Sequence, residues 1–285
     1  MKLLTLNTHS LAEPEYERKL HLFARMAEKE RPDIIALQEV NQTGESSPAP
    51  AAPEYGYMPC AGHEGPVRED NHALNLAKLL KSAGVCYRWT WVPVKLGYGV
   101  FEEGLALFSL KPIEDTEQFF ISKSRSFSNW KTRKAVGIQA GGQWFYSVHM
   151  GWWGDEEEPF ACHWDHFQEH VKGHRGDGKA VWVMGDFNSP CDRAGEGYDY
   201  VRNSGWRDTY EMAAEKDGGI TVGHVIDGWR REEGEQKKRP PGMRIDYIWC
   251  GDQADVSRSL VVCNDVNYPV VSDHYGLMAV TDKEL

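Results

Sequence analysis

Short apolar runs recur along the chain, and several of them end on an acid, an amide or a histidine. Lys2 to Leu6 reads as a short strand that closes on Asn7. Leu20, Phe23, Ala24 and Ala27 fall at the spacing of one helix face, which predicts a helix over about Glu15 to Glu30, stopped by Arg31-Pro32-Asp33. Ile34 to Leu37 is a continuous apolar run bounded by turn formers, as expected of a strand buried on both faces, and it leads into Gln38-Glu39. The opening is therefore strand, helix, strand, with Asn7 and Glu39 at the two carboxyl ends. In open α/β sheets ligands bind at those ends.

A second helix is predicted over about Asn71 to Ser82, with Leu74, Leu76, Leu79 and Leu80 toward the core, and a third near 158–173. Strand patterns occupy 87–94, 104–109, 133–139, 143–149, 180–185, 244–250, 257–263 and 276–281. The excess of strands in the second half predicts an α/β fold of two packed sheets with helices outside. Residues 44–56 form a proline-rich loop too short for a linker, and no composition break divides the 285 residues, so one domain over 1–285 is expected.

Composition narrows the function. Hydrophobic content of 41% suits a buried core, and no apolar run approaches the roughly 20 residues of a membrane span. A net charge of -11 argues against holding nucleic acid by broad phosphate neutralisation, although a small metal-focused site is compatible with a nuclease. The six cysteines show no CxxC pair and read as reduced, mostly buried thiols, and Met1 to Asn7 runs into a strand without a leader pattern. A cytoplasmic protein with no membrane partner is expected.

The polar segments carry the chemistry. The strand from Ala180 to Met184 ends at Gly185 and delivers Asp186 and Asn188, two residues apart and so on one side. The carboxylate can align or deprotonate water, and the amide can donate to a phosphoryl oxygen without adding charge; an Asx turn is the structural alternative. Asp273 and His274 are adjacent and on an extended chain would point apart, Asp273 to a metal and His274 to a phosphate, with Asp246 orienting the histidine. Glu39 ends a buried strand with no basic residue near it in sequence and wants a cation, while Asn7 is a neutral oxygen ligand or a hydrogen-bond partner of Glu39. Oxygen donors of this kind suit Mg2+, or Mn2+, better than zinc. His149 ends a strand and Glu103 precedes one, each with a structural reading of equal weight, and His9 lies two residues past Asn7 at a possible rim. The Lys/Arg run at 237–239 reads as a solvated loop that could also reach a substrate anion.

In this order, Asn7, Gln38-Glu39, His149, Gly185-Asp186-Phe187-Asn188, Arg244-Ile245-Asp246-Tyr247 and Ser272-Asp273-His274, the segments resemble the endonuclease/exonuclease/phosphatase superfamily. The resemblance implies a deoxyribonuclease I-like four-layer α/β sandwich, two packed mixed β-sheets flanked by helices. It implies phosphoric ester hydrolysis with magnesium by in-line attack of water. Carried across, it makes Glu39 a metal ligand with Asn7 and Asp273 near the metal, and Asp186 the group that aligns the water. It puts Asn188 and His149 on the phosphate, pairs His274 with Asp246, and makes Glu103 the acid behind His149.

Leu4 to Ser10, Glu69-Asp70-Asn71 and Val148 to Trp153 are similar to a bacterial branch associated with sugar-phosphate phosphatases, whose named activity is maltose 6'-phosphate phosphatase; Leu11 departs from the tryptophan expected after Ser10. Eleven tryptophans are many for this length, and Trp152 and Trp153 follow His149 into an acidic loop that would repel a polyanionic strand, so a sugar ring is expected beside them. The expected substrate is a phosphorylated sugar; the alternative is a magnesium-dependent endonuclease or other phosphodiesterase, acting on nucleic acid or a lipid head group.

Overall fold

The structure is a computed structural model that describes residues 1–63, 65–176, 180–224, 226, 242–252, 254–282 and 285. In chain order the strands are β1 (Lys2–Asn7), β2 (Ile34–Thr43), β3 (Arg88–Gly97), β4 (Phe101–Ser109), β5 (Asp115–Phe120), β6 (Lys134–Ala140), β7 (Gln143–His149), β8 (Val181–Asp186), β9 (Arg207–Asp208), β10 (Glu215–Lys216), β11 (Asp246–Cys250), β12 (Val256–Val262) and β13 (Gly276–Thr281). The helices are α1 (Tyr16–Glu30), α2 (His72–Ser82), α3 (Phe160–Gly176) and the short α4 (Gly197–Asn203) and α5 (Thr209–Met212). One sheet runs β10-β12-β13-β1-β2-β4-β3 and the other β5-β6-β7-β8-β11-β9. Both are mixed: β1 pairs parallel with β2 and antiparallel with β13, while β8 pairs parallel with β7 and antiparallel with β11.

Continuous apolar runs arise here because each strand feeds two cores. Leu3, Ile34 and Ala36 point between the sheets and meet Phe145, Trp182, Met184 and Ile248. Their neighbours Leu4, Leu6, Ile35 and Leu37 point outward to Leu20, Phe23 and Ala27 of α1 and to Leu74 and Leu80 of α2. On the far side Val148, Val181, Val183 and Trp249 pack on Phe160, Trp164, Phe167 and Val171 of α3. Helices, sheet, sheet and helices make four layers. Among the described residues no helix is long and apolar enough to cross a membrane. The cysteines carry no disulfide; Cys60, Cys250 and Cys263 are buried, and Cys86 is exposed.

At one end of the sandwich the inward row turns polar. Leu3 is followed by Thr5 and Asn7, Ala36 by Gln38, Phe145 by Ser147 and His149, and Met184 by Asp186, each step keeping the inward face. Gln38 Nε2 donates across the gap to Ser147 Oγ at 3.0 Å, Thr5 Oγ1 donates to Gln38 Oε1 at 3.3 Å, and Ser147 Oγ returns a bond to the Leu37 carbonyl at 3.1 Å. These buried hydroxyls and amide satisfy one another, as a polar group without water must.

Two expectations are corrected. Glu39 is not a strand end: β2 runs on to Thr43 through a bulge, its pairing with β4 shifting between Leu37 and Val40, with Glu39 at φ 51. The extra residue lets Gln38 and Glu39 both serve the inter-sheet side while Val40 returns to the helical core, a common way to re-aim a side chain at a site. Glu103 lies inside β4, not ahead of it.

Candidate active site

The polar ends of the two sheets converge. Asp186, the last residue of β8, pairs in register with His149 of β7 on one side and with Asp246, the first residue of β11, on the other. Gly185 permits this: at φ 148, a Cβ there would lie 2.0 Å from the Val148 carbonyl oxygen. His274 approaches from the other sheet, with Nδ1 3.0 Å from Asp246 Oδ2 and Nε2 3.8 Å from Asp186 Oδ2. His149 Nε2 stands 3.5 Å from the same Asp186 oxygen.

Asn7 crosses between the sheets, donating from Nδ2 to Asp186 Oδ2 at 3.1 Å and to Glu39 Oε1 at 2.9 Å. Its Oδ1 accepts the His9 backbone N–H at 3.2 Å. Asn188, at φ 45, donates its backbone N–H to Asp186 Oδ1 at 2.8 Å and its amide to the Met150 carbonyl at 3.0 Å. The Asx turn and a place at the site therefore coexist.

Burial governs the charges. Burial raises the Asp186 carboxyl to about 6, with Asp246 adding to the rise and His274 opposing it. Burial works against the His274 cation, yet Asp246 and Asp186 outweigh it and lift the imidazole to about 10. His149 is held well below its ordinary value by burial and by the cations Arg133, Lys95 and His274. The site thus holds one charged and one neutral imidazole. Glu39 is pushed up to about 7, by burial first and then by Glu103 and Asp273.

Above this floor lies a cavity of about 750 Å³. Glu39, His149, Asp186, Asn188, Asp273 and His274 form its base, Lys95, Glu103 and Arg133 one wall, and Tyr98, Trp130, Trp152 and Ile226 further lining. Asp273 and His274 both face it, because 271–275 is an irregular segment and not the extended chain that would part them. Glu103 Oε1 is 4.0 Å from His149 Nδ1 and 3.1 Å from Lys95 Nζ. Trp130 and Trp152 sit with ring centroids 5.8 Å apart.

Trp153, expected beside the substrate, instead packs on Phe160 and Tyr200 outside the cavity. His9 stands behind the lining: Nδ1 meets Glu13 at 2.8 Å and Nε2 meets the Tyr98 hydroxyl at 2.9 Å. Burial opposes its charge, but Glu13, Asp273 and Glu39 raise it to about 9. The 237–239 run lies outside the described residues.

The donor set fits a hard divalent cation. Glu39 and Asp273 are oxygen donors lining the same cavity, and Asp273 adds to the rise at Glu39, a repulsion that a bound cation relieves. Two tighter clusters, His9-Glu13-Asp273 and Asp186-Asp246-His274, also bring ligand-type atoms together. In both, the histidine is hydrogen-bonded to a carboxylate of its cluster, and Glu13 also pairs with Lys19.

Sequence reasoning did not find Lys95, Tyr98, Trp130 or Arg133. A signal existed for Lys95, a charge within the otherwise apolar Trp91 to Leu96 stretch. None existed for Arg133, which stands between Lys131 and Lys134 at the start of the 133–139 strand pattern with no acid or amide motif around it.

The sequence profile described as the Endonuclease/Exonuclease/phosphatase family matches residues 4–274. No curated protein matches the sequence. Among solved structures, an endonuclease/exonuclease/phosphatase family protein from Leptotrichia buccalis C-1013-b is 28% identical, with a TM-score of 0.82 over 99% of this chain and 100% of that one. A mannosyl-6-phosphatase of Bacteroides thetaiotaomicron VPI-5482 is 16% identical, with a TM-score of 0.64 over 99% of this chain and 100% of that one. TDP2 from Caenorhabditis elegans is 16% identical, with a TM-score of 0.60 over 99% of this chain and 74% of that one; at such identity these two share the fold. The chain belongs to the endonuclease/exonuclease/phosphatase family of metal-dependent phosphoric ester hydrolases.

Proposed function

We propose that this chain, folded as one domain, is a magnesium-dependent phosphomonoesterase that releases phosphate from a phosphorylated sugar. The observation that carries the reading is the cavity itself: a concave site whose base holds the hydrolytic groups and whose lining includes Trp130 and Trp152. Indole faces suit a sugar ring, and a cavity suits a small molecule. The mannosyl-6-phosphatase of the same fold acts, by its name, on a phosphorylated sugar, which accords with this reading.

Glu39 and Asp273 are the residues to hold magnesium, or manganese in its place, with Asn7 fixing the Glu39 carboxylate. The cation supplies Lewis acidity to a phosphoryl oxygen. Asp186, held by Asn7 and the Asn188 N–H, aligns water for in-line attack on phosphorus and takes its proton as the bond to the sugar oxygen breaks, that oxygen leaving as the alcohol with a proton from solvent. Protonated His274, oriented by Asp246, faces the negative charge that grows on the phosphoryl oxygens. Neutral His149 and the Asn188 amide add hydrogen bonds without adding negative charge.

The test is phosphate release with magnesium against a panel of sugar phosphates, run beside supercoiled plasmid at equal enzyme concentration. Phosphate from a sugar phosphate with intact plasmid is expected. Nicked plasmid with no phosphate released would move the chain to the phosphodiesterases.

A further inference from the structure

Arg133 is 2% exposed and carries no ion pair among the described residues. Buried guanidinium groups are normally paired, since an uncompensated charge in the interior costs several kcal/mol. The fold obeys this elsewhere: buried Arg244 pairs with Asp208 and Glu211. On the cavity wall Lys95 has Glu103, so that pair is close to neutral. Among the described residues Arg133 touches only carbonyls, with Nη1 donating to Trp130 at 3.0 Å and Thr132 at 3.3 Å; its buried Nε meets no acceptor, and the carboxylates Glu103, Asp186, Glu39 and Asp155 act on it only at longer range.

The group is also firmly placed. The Arg133 N–H donates to Ser122 Oγ at 2.8 Å, and its carbonyl accepts from Ile121 N–H at 3.1 Å and Ser122 N–H at 3.3 Å. A rigid, unpaired guanidinium lining a cavity is arranged for an anion that arrives with the substrate. A phosphomonoester carries about -1.5 to -2 at neutral pH, because its second ionisation lies near 6, whereas a diester carries one charge.

We propose that Arg133 is a specificity-determining residue that binds the terminal phosphate and selects phosphomonoesters over diesters. This rests on the phosphatase reading above and extends it to a residue outside the strand-end motifs. The planar fork can take two phosphoryl oxygens, a geometry that lysine does not reproduce. Because the same guanidinium holds the Trp130 carbonyl, the anion site and the indole beside it are fixed together.

The experiment compares parent, Arg133→Gln and Arg133→Lys, saturated with magnesium, on p-nitrophenyl phosphate and bis-p-nitrophenyl phosphate. The ratio of kcat/KM for monoester over diester is expected to fall at least about 10-fold in Arg133→Gln, the order of one charged hydrogen bond, and less in Arg133→Lys. A second reading without turnover is the rise in Tm given by inorganic phosphate, expected in the parent and lost in Arg133→Gln. Folded variants that lose both activities in equal proportion, with the phosphate effect intact, would reduce Arg133 to a clamp on the Trp130 and Thr132 carbonyls and overturn the inference. If Arg133→Gln does not fold, Arg133→Lys decides: an unchanged ratio overturns the proposal and a lowered one supports it. A parent enzyme that cleaves only the diester overturns the phosphatase reading itself, a result visible before any variant is made.

Discussion

Asp186 and Asp246 stand directly opposite one another on neighbouring antiparallel strands, with the His274 ring in contact with both. Like charges facing across a ladder destabilise a sheet, so the imidazolium is as much a structural cation as a chemical one. His274→Ala should lower phosphate release at least about 100-fold. It should also lower unfolding free energy by about 3 kcal/mol or more, the order for breaking a buried charge pair. Urea titration beside the phosphate assay checks both, and an active, equally stable variant would refute the assignment.

Chelation by EDTA should abolish turnover, and magnesium or manganese should restore it. Binding to the folded state alone raises the melting temperature, so millimolar magnesium should stabilise the parent and do so less in Glu39→Gln. Scanning calorimetry of both proteins gives the comparison; an equal magnesium effect in the variant removes Glu39 from the ligand set.

The indoles should separate by position. Trp130→Ala and Trp152→Ala should raise KM for a sugar phosphate by about 3- to 10-fold with a smaller change in kcat, the scale of one aromatic contact. Trp153→Ala should leave KM in place and lower Tm, because that ring packs on Phe160 and Tyr200. Steady-state kinetics showing the reverse ranking would place the sugar on the other side of the loop.

Gly185→Ala is expected to be among the most damaging small substitutions in the protein. The added methyl meets the Val148 carbonyl at 2.0 Å, and the backbone φ of 148 disfavours any side chain. The β7–β8 pair would part beside His149 and Asp186, costing about 3 kcal/mol or more. Denaturant unfolding and phosphate release should fall together; a variant of parental stability would show that the strands accommodate the methyl.

Burial lowers His72 to about 3, and its Nε2 has no partner while Nδ1 sits 3.3 Å from the Tyr16 hydroxyl. The unfolded chain binds that proton near 6.5 and the folded one does not. The contribution is therefore complete above pH 6.5 and is lost as pH falls toward 3, at about 1.4 kcal/mol per unit. His72→Phe should flatten the stability profile between pH 6 and pH 4 relative to the parent, as measured by urea midpoints. Parallel profiles would mean that His72 takes its proton without unfolding.

Much of this architecture could be read from the chain because burial on both faces writes itself as unbroken apolar runs, and those runs located β1, β2, β8 and β13. The base of the cavity was legible for the same reason, since Asp186, His149 and His274 extend or flank such runs, as does Asp246 behind His274. Edge strand β5 was not, because Asp115 to Phe120 is half exposed and mixes charge with apolar residues. The bulge at Glu39 hid in an ordinary Gln38-Glu39-Val40, where only the register against β4 reveals the extra residue. Arg133 and Trp130 reach the cavity by tertiary approach of a loop, and local patterning holds no trace of that.

The Thr5-Gln38-Ser147 bridge has a mechanical meaning. Two apolar faces resist separation but oppose sliding only weakly, because dispersion and burial change little with a small lateral slip. Directional hydrogen bonds between Gln38 of one sheet and Ser147 of the other act as a dowel against that slip. The dowel lies two residues from His149 on one strand and one from Glu39 on the other, so the shear of the sandwich is stiffest where groups from both sheets must meet a single phosphorus atom.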